Sequence, residues 1–216
     1  MRGDTILVEE HHRRAAADLL PTLLDKIAKS GERHTVSVAG ESGSGKSETA
    51  TAVADCLEAQ GIKCVILQQD DYFVHPPKTN DKTRRQDISW VGPQEVKLAL
   101  MDEHLAAFLA SAGPVEKPLA IYEEDKITSE RMEFGDARVV ITEGTYTSLL
   151  ENTGTRIFIA RDFLETRAHR EKRKRDESEL DPFIDKVLKI EHGIISEHRA
   201  RADIVIESDY SVSLPD

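Results

Sequence analysis

The chain has 216 residues but only two cysteines, Cys56 and Cys64, which fall on a predicted helix and a predicted strand. Two thiols so placed make neither a disulfide framework nor a metal-ligand set. We read both as small buried apolar residues in a reducing compartment. Aromatic residues are scarce at 5%, in an otherwise ordinary composition of 39% hydrophobic and 32% charged residues. Positive charge is in deficit: 29 Lys and Arg stand against 40 Asp and Glu, a formal net charge of −11. That balance argues against general binding to nucleic acid or anionic membranes, while leaving room for a local basic site for an anionic ligand. No apolar run approaches the ~20 residues needed to cross a bilayer. The start, MRGDTILVEEHH, lacks the apolar core of a signal peptide, so a cytoplasmic location is expected. Internal repeats, low-complexity tracts and Gly/Ser linkers are absent too, so residues 1–216 are read as one domain.

Glycine is abundant in one place, VSVAGESGSGKSETA from Val36 to Ala50. Gly40-Glu41-Ser42-Gly43-Ser44-Gly45-Lys46-Ser47 matches GxxxxGK[ST] at every fixed position, with an apolar strand before it and a helix after it. Glycines let backbone N–H groups turn inward and approach an anion. The following helix adds unpaired donors and its dipole. Lys46 brings a compact positive charge to β- and γ-phosphates, and the Ser47 hydroxyl is placed for Mg²⁺. The predicted nucleotide site is therefore Gly40 to Ser47 with Glu48 behind it, and ATP and Mg²⁺ are the expected ligands.

Continuous apolar strands alternate with helices, which predicts a parallel sheet with helices on both faces. The expected strands lie at about 35–39, 63–68, 138–142, 156–160 and 203–207. An N-terminal helix occupies residues 13–29 within a 1–33 segment, kinked or divided at Pro21. Residues 70–92 read as a long polar loop in which Pro76-Pro77 rules out regular structure. Pro93 opens a helix to about Ser111, 117–137 reads as irregular with at most a short hairpin, and Pro182 opens another helix.

A P-loop names a nucleoside triphosphate, not a function. A guanine-reading NKxD motif is absent. A small-molecule kinase needs a carboxylate for the acceptor hydroxyl, an acceptor pocket and a cationic lid. The second strand ends in QQDDYF, placing Asp70 and Asp71 where open α/β sheets bind ligands. Adjacent side chains point apart, so one of the two serves as base. The third strand ends in VVITEGTY, which places Glu143 at the same edge, suited to Mg²⁺ or substrate hydroxyls. RDFLETRAHREKRKRDE is strongly basic. Arg167 and Arg170 share a helical face, and Arg173 and Arg175 are further candidates for phosphate contact. An NTP-binding regulator that hydrolyses slowly is the reading from another class.

In this order GESGSGKS, DDYF, ITEGTY and ETRAHREKRKRDE resemble the uridine kinase and phosphoribulokinase family of P-loop kinases, over about residues 34–207. The resemblance implies a three-layer α/β fold whose five-stranded parallel sheet has its first strand between the third and fourth. It implies Asp70 as catalytic base and Glu143 as an active-site acid, with Ser47, Asp70 and Glu143 near Mg²⁺. It also implies an acceptor-binding insertion at about 71–135 and a basic helical lid at about 161–180 that closes over ATP. Family members often assemble, which leaves a homo-oligomer open. By analogy, Glu207 to Tyr210 lie near the nucleotide base.

The chain departs from the family's nucleoside kinases. Their ribose-holding Asn-Phe-Asp-His-Pro-like stretch is replaced by DISWVGPQE, with Asp87 only nearby. Ile127 stands where a base-contacting histidine is expected, although Tyr122 fits. A lost polar partner costs roughly 1–3 kcal/mol, enough to change the acceptor. The expected acceptor is therefore a small hydroxyl-bearing molecule, with uridine or cytidine as the alternative. Tyr72, Arg84, Arg85, Trp90 and Tyr122 are candidate contacts, with Lys82, for an anionic or sugar-like compound. His75 is a further candidate. His11 and His12 are expected at the surface, and His192 and His198 have no assigned role.

Overall fold

The computed structural model describes residues 6–162, 165 and 181–215. The expected lid residues Arg167, Arg170, Arg173 and Arg175 lie outside the described residues. In chain order the strands are β1 (His34–Gly40), β2 (Cys64–Gln68), β3 (Val115–Ile121), β4 (Lys126–Met132), β5 (Val139–Glu143), β6 (Thr155–Ile159), β7 (Ile204–Ile206) and β8 (Val212–Ser213). The α-helices are α1 (Glu10–Lys29), α2 (Lys46–Glu58), α3 (Pro77–Gln86), α4 (Leu98–Leu109) and α5 (Pro182–Ile195).

The main sheet runs β2-β5-β1-β6-β7-β8, with parallel pairing throughout except for the last strand. All seven residues of β1 are buried, as a central strand covered on both faces requires. Its place between β5 and β6 matches the expectation. On one face α1 and α2 pack over Val36, Val38, Ile141, Ile157 and Ile204. On the other, α4 residues Met101, Leu105 and Phe108 and the end of α5 pack over Leu67 and Val140. The fold is a three-layer α/β sandwich. No helix among the described residues is long and apolar enough to cross a membrane.

Several details differ from the sequence reading. Pro93 opens only a 3₁₀ turn and the helix after it starts at Leu98, while Cys56 and Cys64 are half-buried instead of buried. Pro21 does not divide α1. Leu19, Leu23 and Ile27 are buried on one face, and each contributes about 1.5–3 kcal/mol, more in sum than the ~3 kcal/mol cost of an interior proline. Pro77 starts a helix instead of forbidding one, because at the first helical position its missing N–H has no intrahelical acceptor to lose. Residues 115–132 form a regular antiparallel hairpin, paired from Val115↔Met132 to Ile121↔Lys126. The tail adds a sixth, antiparallel strand: Tyr210 takes φ 65° and Glu207 N donates to Ser211 O, turning the chain back onto β7.

Candidate active site

Strand register assembles the site. Glu143 pairs with Val38 of β1 and with Gln68 of β2. The P-loop leaves β1 two residues later, and Asp70 follows Gln68 by two, so all three motifs meet at one sheet edge. This is the carboxyl edge, where open α/β sheets bind ligands.

In the loop, Gly45 takes φ +92°, a conformation L side chains rarely adopt, and a Cβ there would lie 2.8 Å from His12 Nε2. Lys46 Nζ donates to Glu41 O at 2.8 Å, which keeps its charge over the loop. Ser44 is fully buried, Ser42 and Gly43 are half-buried, and Glu48 is buried in the first turn of α2.

Ser47 Oγ donates to Glu143 Oε1 at 3.1 Å. Burial pushes the Glu143 carboxyl up to about 7, with the Asp70 charge adding to the shift and Lys46 and Ser47 opposing it. Two carboxylates and a hydroxyl are hard oxygen donors, the set that suits Mg²⁺. Ser47, Glu143 and Asp70 therefore fit the expected metal.

The sign of that shift gives a measurable pH dependence. The folded pKa lies above the unfolded value of 4.5, so the folded form holds a proton that the unfolded form releases. This contribution is present below pH 4.5 and is lost as pH rises through about 7, amounting to roughly 3 kcal/mol. Glu143→Gln is expected to flatten the fall in unfolding free energy across that window, measured by denaturant titration. An unchanged slope would contradict the burial argument.

The carboxylates after β2 divide as their adjacency requires. Asp71 is buried and turned toward the hairpin: Lys117 Nζ donates to its Oδ2 at 2.9 Å and Ala120 N to its Oδ1 at 3.0 Å. Lys117 also pairs with Glu130 at 2.8 Å. Asp70 instead lines a recess of about 180 Å³ with Phe73, Pro77, Asn80, Asp81 and Arg84. Gly144 lets this turn pack against the end of β5: a Cβ there would lie 2.2 Å from the Gln69 Cβ. Tyr146 N also donates to Gln69 Oε1 at 2.7 Å. A second cleft, of about 360 Å³, joins Ser47 and Glu143 to Asp71, Lys117 and Glu130.

The predicted acceptor residues are not all brought together. Tyr72 belongs to the core: it is fully buried and its hydroxyl hydrogen-bonds His104 Nδ1 at 2.8 Å. Arg84 does line the recess, but it forks onto Glu95 through Nε and Nη2, and Nη2 also donates to Glu191 at 3.2 Å. Arg85 reaches Asp81 and Asp181, both at 2.7 Å, and lies over the Phe183 ring. It ties α3 to the start of α5. Trp90 Nε1 donates to Asn80 Oδ1 at 2.9 Å, and the Trp90 ring meets His75. Tyr122 lies beneath Lys78 Nζ. Asp87 caps its own turn by accepting from Ser89 N.

Sequence reasoning missed two contacts to the P-loop. His12 is buried, not at the surface: Glu9 N donates to its Nδ1 at 3.1 Å, and its Nε2 lies 3.3 Å from the Tyr210 hydroxyl, beside Gly45. The only local signal was its place three residues after Glu9, a capping spacing. His192 Nδ1 donates to Glu41 Oε1 at 2.5 Å. No sequence signal pairs residues 151 apart. Tyr210 contacts His12 and Arg161, and Glu207 pairs with Arg199.

Comparison with known proteins bears on this arrangement. The model of the phosphoribulokinase / uridine kinase family matches residues 35–164. The bifunctional alpha-galactosidase/sucrose kinase AgaSK of Mediterraneibacter gnavus is 29% identical over 192 residues, which cover 83% of this chain and 20% of that protein. A uridine kinase of Lactiplantibacillus plantarum is 29% identical over 109 residues, half of each chain. The chain thus spans only a fifth and a half of the curated relatives it matches. Among solved structures, a Silicibacter protein named as a fructose transport system kinase superposes with a TM-score of 0.62 at 21% identity, covering 87% of this chain and 93% of that one. D-glycerate 3-kinase of Cryptococcus neoformans gives 0.60 at 12% identity, covering 96% of this chain and 100% of that one. These two likenesses concern the fold. The family match spans more than half of the chain and includes the P-loop, Asp70 and Glu143, so this chain belongs to the phosphoribulokinase / uridine kinase family.

Proposed function

We propose that the chain is a kinase that transfers the γ-phosphoryl group of ATP to a hydroxyl of a small molecule. The observation that carries this reading is the strand register that sets Ser47, Glu143 and the Asp70 turn along one edge. Lys46 and the loop amides hold the phosphates. Ser47, Glu143 and Asp70 would hold Mg²⁺, which when bound would draw charge from the phosphate oxygens. Asp70 orients the acceptor hydroxyl and accepts its proton as the new O–P bond forms, the bond to the β-γ bridging oxygen breaks and ADP leaves. Arg167 and Arg170, with Arg173 and Arg175, supply cations to the transferring group.

The reading requires ADP release to depend on an acceptor, with phosphorylated acceptor formed in equal amount. Coupled ADP detection with mass spectrometry of the product checks both. ADP formed at the same rate without any acceptor would favour an NTP-hydrolysing regulator. Efficient phosphorylation of uridine or cytidine would instead make the chain a true nucleoside kinase, the activity named for its L. plantarum relative.

A further inference from the structure

The recess beside Asp70 has a charge pattern that narrows the acceptor. Among the described residues its lining contributes two carboxylates, Asp70 and Asp81, and one cation, Arg84. Asp81 accepts from Arg85 on the outer side of α3. The Arg84 guanidinium is committed inward. It donates to both oxygens of Glu95, which is fully buried, and to Glu191, also buried. One positive charge thus faces two carboxylates in the protein's own interior before any ligand arrives. An arginine that recognises an anionic ligand presents its fork outward to a carboxylate or phosphate. Here the Nε–Nη2 edge of that fork is taken by Glu95, with Nη2 shared by Glu191.

An acceptor carrying a phosphate or carboxylate would therefore meet Asp70 with Arg84 already compensated. Like-charge juxtaposition of this kind opposes binding. A neutral acceptor has no such cost. Its hydroxyls donate to carboxylates, which are pure acceptors when ionised. Phe73 and Pro77 supply apolar surface for the C–H face of a ring. The recess holds about 180 Å³, below the ~300–1,000 Å³ usual for sites of drug-sized ligands. That space suits one small ring better than a base and a ribose together.

We propose that the acceptor group entering this recess is a neutral polyhydroxylated ring, a monosaccharide or a single sugar unit, and that the inward pairing of Arg84 excludes anionic acceptors. The inference rests on the kinase reading above and goes beyond it by naming the acceptor's chemical class.

The test compares three sets of acceptors at fixed Mg²⁺ and ATP: neutral monosaccharides, their phosphate esters together with glycerate, and uridine with cytidine. The expected result is a kcat/KM for at least one neutral sugar about a hundredfold above the other two sets. A preference for a phosphate ester, glycerate or a nucleoside would overturn the inference and leave the kinase reading standing. No acceptor-dependent ADP release from any set would overturn the kinase reading, and the inference with it. Glu191→Gln keeps the shape of the side chain while removing one carboxylate from Arg84. With its fold verified by circular dichroism, this variant should move the neutral-to-anionic preference about tenfold toward the anionic acceptors. An unchanged ratio would contradict the role given to Arg84.

Discussion

Asp70→Asn is expected to lower kcat by about 10²–10⁴-fold, the usual contribution of a positioned general base, while ATP binding is retained. The substitution preserves the shape of the side chain and its place on the recess wall. What it removes is the proton acceptor and one negative charge near Glu143, whose own carboxyl is pushed up in part by Asp70, while the amide oxygen stays in place as an oxygen donor toward Mg²⁺. The expected pattern is thus a large fall in kcat with little change in the dissociation constant for ATP. Steady-state kinetics and calorimetry separate the two. Turnover at the normal rate would remove Asp70 from the role of base. Asp71→Asn would fail in another way, because Asp71 anchors Lys117 and the Ala120 amide of the hairpin. Its main effect is expected on stability.

Lys46→Met should lose about 10²–10³-fold in kcat, as removal of one preorganised donor to developing charge commonly does. Lys46 Nζ reaches the carbonyl of Glu41 from the first turn of α2. Phosphate oxygens bound in the loop would take up the same charge. Methionine keeps the stem and its packing, so the fold should hold. ATP affinity should fall together with kcat, which distinguishes this variant from Asp70→Asn. Equal loss of ATP affinity in the two variants would show that the site is not divided into a phosphate side and an acceptor side.

The parts of the molecule that could be read from the sequence are those whose chemistry is contiguous. A phosphate cradle needs its glycines, lysine and hydroxyl within eight residues, and a strand buried on both faces must be apolar throughout. Gly40 to Ser47 and the five parallel strands follow from those demands. The acceptor side was less legible because its contacts are long-range. Arg84 meets Glu191 across 107 residues, and His192 meets Glu41 across 151. Neither pair leaves a periodic trace. Pro77 shows a second kind of ambiguity, since the same residue breaks a helix interior and starts a helix at its first position. Tyr72 shows a third. A tyrosine next to the Asp70 turn suits a ligand wall or a core equally well, and here packing around His104 decides for the core.

The arginines of α3 show how a structure changes the meaning of charge. In sequence, Arg84 and Arg85 are a basic pair suited to an anion. In the fold, Arg85 clamps α3 to Asp181, the residue that caps α5, while Arg84 lies between two buried glutamates. Both cations are used to build the recess.

In the proposed reaction, phosphate held by Gly40–Ser47 passes to a hydroxyl oriented by Asp70. The most direct measurement follows the labelled γ-phosphoryl group of ATP through a single turnover with a neutral sugar acceptor, in the wild-type protein and in Asp70→Asn. Label is expected in the acceptor with the wild type and almost none with the variant, while both bind ATP. Label recovered as inorganic phosphate from both proteins, with none in the acceptor, would contradict it.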